Sequence, residues 1–320
     1  MKVVITDYQY EDITQEKQII TSAGFELFEY QEKKPAALIP LVKDADAIIT
    51  QYSEINETVI ESLMHCKMII KYGIGVNNID VEAASKKGIY VCNVPDYGID
   101  EVSNHALTFI LTLSKKLKQE DMFFRNGNWG YSEIVPVFRF SGSTIGLMGF
   151  GRIPQLVARK LSGFGVNVIA YDPFCSASTF REYGVESVDF NTLCEKSDFI
   201  SIHCPLTAET QHVFNKDAFS KMKKTACIIN TARGPVVDEN ALIEALENGY
   251  IAGAALDVYE SEPLNKESKL FSFENVILTP HCAWYSEEAI STLQRKVAEE
   301  VVNVLKGNVP LNCVNRKKVG

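Results

Sequence analysis

The chain has no CxxC pair among its eight cysteines, no run approaching the ~18 uninterrupted apolar residues of a membrane helix, and no excess of positive charge. The first absence removes the usual zinc and thioredoxin-like spacings. Most of the cysteines sit in apolar strand-like runs such as Ile89-Tyr90-Val91-Cys92, so they read as buried reduced thiols, with no metal expected. With Lys and Arg numbering 32 against 41 Asp and Glu, the net charge of −9 argues against nucleic acid or an anionic membrane as partner. An anionic ligand would have to be met by a local positive site. Internal repeats, low-complexity segments and long linkers are also lacking. The first residues, Met1-Lys2-Val3-Val4-Ile5-Thr6, read as a strand and not as a basic stretch followed by an apolar one, so a cytoplasmic protein is expected.

What is present is alternation. At 320 residues the chain is long enough for two cores. Short apolar runs at 3–6, 47–50, 68–71 and 89–92 alternate with amphipathic segments such as 57–64, which signals parallel α/β architecture. A long helical stretch follows from Asp100, a plausible N-cap, to about 125. A second series of runs, at 144–148, 167–171, 199–203, 227–230, 252–256 and 276–278, supplies six strands for one doubly wound sheet. The tail from 286 to about 306 reads as a helix with Glu287 and Glu288 in its first turn.

Gly149-Phe150-Gly151 follows a strand and opens a helix, the place where backbone N–H groups can cradle a pyrophosphate. Pro154 stands where the third glycine of the usual fingerprint would be; its missing N–H costs little in a first helical turn. Asp172 ends the next strand, 23 positions after Gly149, where a carboxylate can take ribose hydroxyls and repel a 2′-phosphate. NAD(H) is therefore expected in preference to NADP(H). Arg233 lies just past the 227–230 strand and can hold a substrate carboxylate through two N–H donors. His281 lies past the 276–278 strand and suits proton transfer near neutral pH. Glu262, placed between them, would orient the His281 ring and raise its pKa. Of the other histidines, His105 reads as packing on an apolar helix face, and His203 as a wall of the cofactor pocket. A cation, a carboxylate and an imidazole beside a dinucleotide site point to a nicotinamide-dependent oxidoreductase acting on a 2-oxo or 2-hydroxy acid.

The blocks Lys71-Tyr72-Gly73-Ile74-Gly75-Val76-Asn77-Asn78-Ile79-Asp80, Gly149-Phe150-Gly151-Arg152-Ile153, His203-Cys204-Pro205-Leu206-Thr207, 230–238 and 255–263 together resemble the D-isomer-specific 2-hydroxyacid dehydrogenase family. The block 279–288 is closest to its C-terminal-binding-protein-like branch. The resemblance implies two Rossmann-like domains. Residues 1–98 and 285–320 would form a discontinuous, flavodoxin-like substrate domain, and 99–284 the NAD-binding domain, with the active site where they close and a homodimer formed largely through the latter. It implies Arg233, Glu262 and His281 as the catalytic triad. Gly149, Gly151, Arg152, Ile153, Asp172, Cys204, Pro205, Thr210, Thr231, Ala232 and Asp257 would hold the cofactor. Lys71, Tyr72, Gly73, Ile74, Gly75 and Trp284, with Arg233 and His281, would meet the substrate. Lys71 points to a second anionic group on that substrate, with a plain strand-end lysine as the competing reading. Phosphoglycerate dehydrogenase, and an NAD(H)-sensing interaction protein of the C-terminal-binding type, remain the alternatives.

Overall fold

The computed structural model describes residues 1–132 and 134–319. The chain forms two compact units, Met1–Gly98 with Tyr285–Gly320, and Ile99–Trp284. In the first unit, strands β1 (Lys2–Ile5), β2 (Glu26–Glu29), β3 (Ala47–Thr50), β4 (Met68–Lys71) and β5 (Tyr90–Cys92) form one parallel sheet in the order β2-β1-β3-β4-β5. This is the flavodoxin-like order. β3 and β4 are apolar at successive positions and wholly buried, because helices cover both faces of a parallel sheet. Each fully buried Ile or Leu there contributes about 1.5–3 kcal/mol. The helix Glu287–Leu305 returns the chain to this unit, capped by Ser286 Oγ, which accepts from Ala289 N at 2.9 Å.

In the second unit, β6 (Thr144–Met148), β7 (Asn167–Tyr171), β8 (Glu186–Ser187), β9 (Phe199–Ile202), β10 (Cys227–Asn230), β11 (Gly253–Leu256) and β12 (Val276–Leu278) form a parallel sheet in the order β12-β11-β10-β9-β6-β7-β8. The order reverses between β6 and β9, the switch point at which such sheets bind ligands. Alternate residues bury against opposite layers: Ile228 of β10 joins one apolar cluster, Cys227 and Ile229 the other.

Four expectations are corrected. The first sheet has five strands, not four, because β2 (Glu-Leu-Phe-Glu) is a largely exposed edge strand without a solid apolar run. The second has seven, not six, because β8 is two exposed polar residues. The long helix is two helices, Ile99–Lys115 and Leu117–Arg125, broken where Lys116 takes a left-handed conformation at φ 51°. Asp100 is inside the first turn and is not the N-cap; it accepts instead from Lys160 Nζ at 2.7 Å and Asn104 Nδ2 at 2.9 Å. Among the described residues, no helix is long and apolar enough to cross a membrane, and no group of three His, Cys, Asp or Glu side chains could hold a metal.

Candidate active site

The carboxyl edge of the second unit's sheet carries the residues singled out in its sequence. After β6, Gly149 takes φ 92°, and a Cβ there would lie 3.0 Å from Cys204 N and 3.1 Å from His203 C. Only glycine lets this turn pack against the end of β9. Space around Gly151 is open, and Gly151 is the N-cap of the helix Arg152–Leu161. That helix carries Pro154 buried in its first turn, where N–H groups have no partner in the helix. Asp172 holds the glycine turn directly: Oδ2 accepts from Phe150 N at 2.8 Å, and Oδ1 from Phe174 N at 2.8 Å. Each oxygen keeps a further lone pair for a ribose hydroxyl. Thr210 Oγ1 ties the next loop together, donating to Pro205 O and accepting from Thr207 N, both at 2.7 Å. Burial pushes the Cys204 thiol up to about 11 and the His203 imidazole down to about 3, so both stay neutral. His203 Nε2 lies 2.9 Å from Ser201 Oγ.

After β10, Asn230 folds the turn that presents Arg233. Its Nδ2 donates to Arg233 O at 2.9 Å and its Oδ1 accepts from Ala232 N at 3.0 Å. Arg233 Nη1 donates to Ala232 O at 2.6 Å. A Cβ on the neighbouring Gly234 would fall 1.9 Å from Tyr259 C and O, so the Arg233 turn and the 259–262 loop touch backbone to backbone. That contact brings cation and carboxylate into one field. Burial pushes the Glu262 carboxyl up, but the hydrogen bond and charge of His281, the Tyr259 amide and the charge of Arg233 outweigh it and hold Glu262 below its ordinary value. Glu262 Oε2 pairs with His281 Nδ1 at 2.6 Å, and Oε1 accepts from Tyr259 N at 3.2 Å. The two side chains remain 35% and 32% exposed, so a ligand can reach them.

His281 itself has φ 54°, an uncommon conformation for a side-chain-bearing residue that costs on the order of 1 kcal/mol. Asp257 compensates. Buried at the end of β11, it accepts from Thr279 Oγ1 (2.5 Å) and Cys282 N (2.9 Å) on Oδ1, and from Ala283 N (2.9 Å) on Oδ2. Both oxygens thus hang the 279–283 turn on the sheet. Trp284 Nε1 donates back to His281 O at 3.0 Å.

Sequence reading missed the next link. His105, expected only to pack, does meet Phe109 edge-on with ring centroids 4.4 Å apart, but its Nε2 also lies 3.1 Å from Thr279 Oγ1. Because Thr279 gives its proton to a carboxylate, its oxygen accepts from His105 Nε2–H. Burial lowers the pKa of His105 against the opposing charge of Asp257. No local signal marks this relay, since 174 positions separate His105 from Thr279.

In the first unit, Lys71 ends β4 almost fully buried, its Nζ 5.1 Å from the centre of the Tyr52 ring; Lys33 Nζ lies 5.3 Å from the same ring. Gly73 turns at φ 142°, which opens the Ile74-Gly75 backbone, and Asn93 Nδ2 fixes the turn by donating to Ile74 O at 2.7 Å. Tyr72 turns its ring into the core, where its hydroxyl donates to Glu16 Oε1 at 2.6 Å, and its backbone N–H donates to Thr50 O at 2.8 Å, so the side chain is not turned toward a ligand.

The cofactor fit rests on two observations. Thr231 Oγ1 is buried without a hydrogen-bond partner in the protein, a cost a ligand would remove. The glycine turn is the close-approach cradle a pyrophosphate needs. A switch-point cradle beside a cation, a carboxylate and an imidazole is the arrangement of a dinucleotide-dependent dehydrogenase. Comparison with known proteins agrees. Residues 107–283 match the family model for the NAD-binding domain of D-isomer-specific 2-hydroxyacid dehydrogenases. The chain is 40% identical over 286 residues to a glyoxylate reductase of Thermococcus litoralis, covering 87% of this chain and 86% of that one. It is 37% identical to a D-3-phosphoglycerate dehydrogenase of Methanocaldococcus jannaschii, over 100% of this chain and 60% of that one. The solved D-lactate dehydrogenase of Aquifex aeolicus with NAD and lactic acid superposes with a TM-score of 0.89 at 29% identity, covering 99% of both chains. Another solved structure of this fold holds NADPH. The chain belongs to the D-isomer-specific 2-hydroxyacid dehydrogenase family and is an NAD-dependent oxidoreductase acting on CH–OH groups.

Proposed function

We propose that the chain interconverts a small 2-oxo acid and its D-2-hydroxy acid, with Arg233, Glu262 and His281 as the reacting constellation. The observation that carries this is the 2.6 Å pairing of His281 Nδ1 with Glu262, beside the Arg233 charge. With Nδ1 engaged, Nε2 is the nitrogen that faces substrate. Arg233 binds the substrate carboxylate and polarises the C2 carbonyl. NADH, when bound, supplies the hydride to C2. His281 Nε2–H gives its proton to the oxygen as negative charge develops there, and takes it back in the oxidising direction. Glu262, its pKa lowered, stays a carboxylate and keeps the ring oriented. Asp257, Thr279 and His105 hold the turn.

Asp172 supports NAD(H) over NADP(H), since a 2′-phosphate would meet a carboxylate already bound to the glycine turn. Lys71, an almost fully buried cation, supports a substrate with a second anionic group. NADH oxidation is therefore expected to outpace NADPH oxidation across a panel of glyoxylate, pyruvate, oxaloacetate, 2-oxoglutarate and 3-phosphohydroxypyruvate. Lys71→Ala should raise KM about tenfold or more for the doubly anionic members and little for pyruvate. An equal effect on pyruvate removes the distal-anion role.

In the second unit, Leu117, Phe124, Trp129, Tyr131, Val135 and Phe138 are all more than half exposed. So much apolar surface supports a homodimer covering this segment. Sedimentation should give twice the chain mass; a monomer at micromolar concentration would refute it.

A further inference from the structure

We infer that Cys92 and Cys313 form a redox modification site, at which a two-electron oxidant closes a disulfide that locks the discontinuous unit. Cys92 ends the edge strand β5, and Cys313 faces it across an isolated antiparallel bridge. The flanking backbone bond runs from Val314 N to Val91 O at 2.9 Å. That makes the two cysteines a non-hydrogen-bonded cross-strand pair, the kind whose Cα atoms stand about 4.5 Å apart with side chains adjacent. A disulfide accepts Cα separations of roughly 4.4–6.8 Å, so closure requires little backbone movement.

The register is held from several sides. Asn315, 2% exposed, accepts from Val91 N at 2.9 Å and from Cys313 Sγ at 3.1 Å on Oδ1, and donates from Nδ2 to Ile89 O at 2.9 Å and Ser85 Oγ at 3.0 Å. The Glu300 carboxylate accepts from Leu311 N, fixing the approach to Cys313. Burial, then the neighbouring Cys313, raises the pKa of Cys92, which therefore rests as a protonated thiol. Cys313 is partly exposed and meets the oxidant first.

With hydrogen peroxide as the oxidant, the Cys313 sulfur attacks one oxygen; the O–O bond breaks, and Cys313 sulfenic acid and water result. The Cys92 sulfur then attacks the Cys313 sulfur, the S–S bond forms, the S–O bond breaks, and the departing hydroxide takes the Cys92 proton as water. Two thiols lose two electrons and two protons, and one peroxide becomes two waters. The consequence follows from the chain path. Cys92 belongs to the 1–98 segment and Cys313 to the 285–320 segment of one unit, so the bond closes a loop of 221 residues that includes the whole second unit. Long loops lose the most unfolded-state entropy on cross-linking.

The test treats reduced, desalted protein with hydrogen peroxide, followed by alkylation under denaturing conditions, peptide mapping without reduction, and thermal unfolding. The expected result is a linked Cys92–Cys313 peptide, an intact mass lower by two hydrogens, and a Tm raised by several degrees and restored by dithiothreitol. Cys313→Ser and Cys92→Ala should each fold, lack the linked peptide and show no oxidation-dependent rise in Tm. Oxidation confined to Cys66, Cys175 or Cys282, with Cys92 and Cys313 both recovered as alkylated thiols, would overturn the site. A linked protein with an unchanged or lower Tm would overturn the lock.

Discussion

His281→Ala is expected to lower kcat for 2-oxo acid reduction by about 10²–10⁴-fold, the usual contribution of a positioned general acid. NADH affinity, read by fluorescence titration, should change no more than a few-fold, because the glycine turn and Asp172 lie after β6 and β7, two strands that His281 does not join. The physical reason is specific to one nitrogen. Glu262 engages Nδ1 at 2.6 Å, and the φ 54° turn is fixed by three hydrogen bonds to Asp257, so the ring is held for transfer through Nε2. Turnover within a few-fold of the parent enzyme would remove His281 from proton transfer.

Arg233→Gln should lower kcat/KM by roughly two to four orders of magnitude, as two charge-assisted hydrogen bonds of about 1.5–3 kcal/mol each are lost. Arg233→Lys should recover little, because an ammonium cannot make two parallel bonds to a carboxylate. Its backbone is held independently by Asn230 and by the Gly234 contact with Tyr259, so the loss reflects the guanidinium and not the turn. A Lys variant with near-normal kcat/KM would reduce Arg233 to a diffuse charge.

Much of this was legible in the sequence, for identifiable reasons. Strands such as Ala47–Thr50, Met68–Lys71 and Cys227–Asn230 are buried at every position, so they announce themselves as continuous apolar runs. Edge strands Glu26–Glu29 and Glu186–Ser187 are mostly exposed and carry no such run. The break at Lys116 escaped because lysine is not a residue that marks a left-handed position. At the site, Arg233, Glu262 and His281 stood out as chemistry-bearing types near turns and strand ends. What arranges them did not. The Asp257–Thr279–His105 relay and the Gly234 approach to Tyr259 are contacts between segments far apart in the chain, and they exist only once the sheet has aligned its carboxyl edge.

The central claim is D-specific reduction at C2 by NADH, and the configuration of the product tests it most directly. The enzyme would be incubated with NADH and pyruvate, NADH loss followed at 340 nm, and the lactate resolved on a chiral column. The account predicts D-lactate in amounts equal to the NADH consumed. L-lactate would contradict it, as would no NADH loss with any 2-oxo acid of the panel by a protein that demonstrably binds NADH.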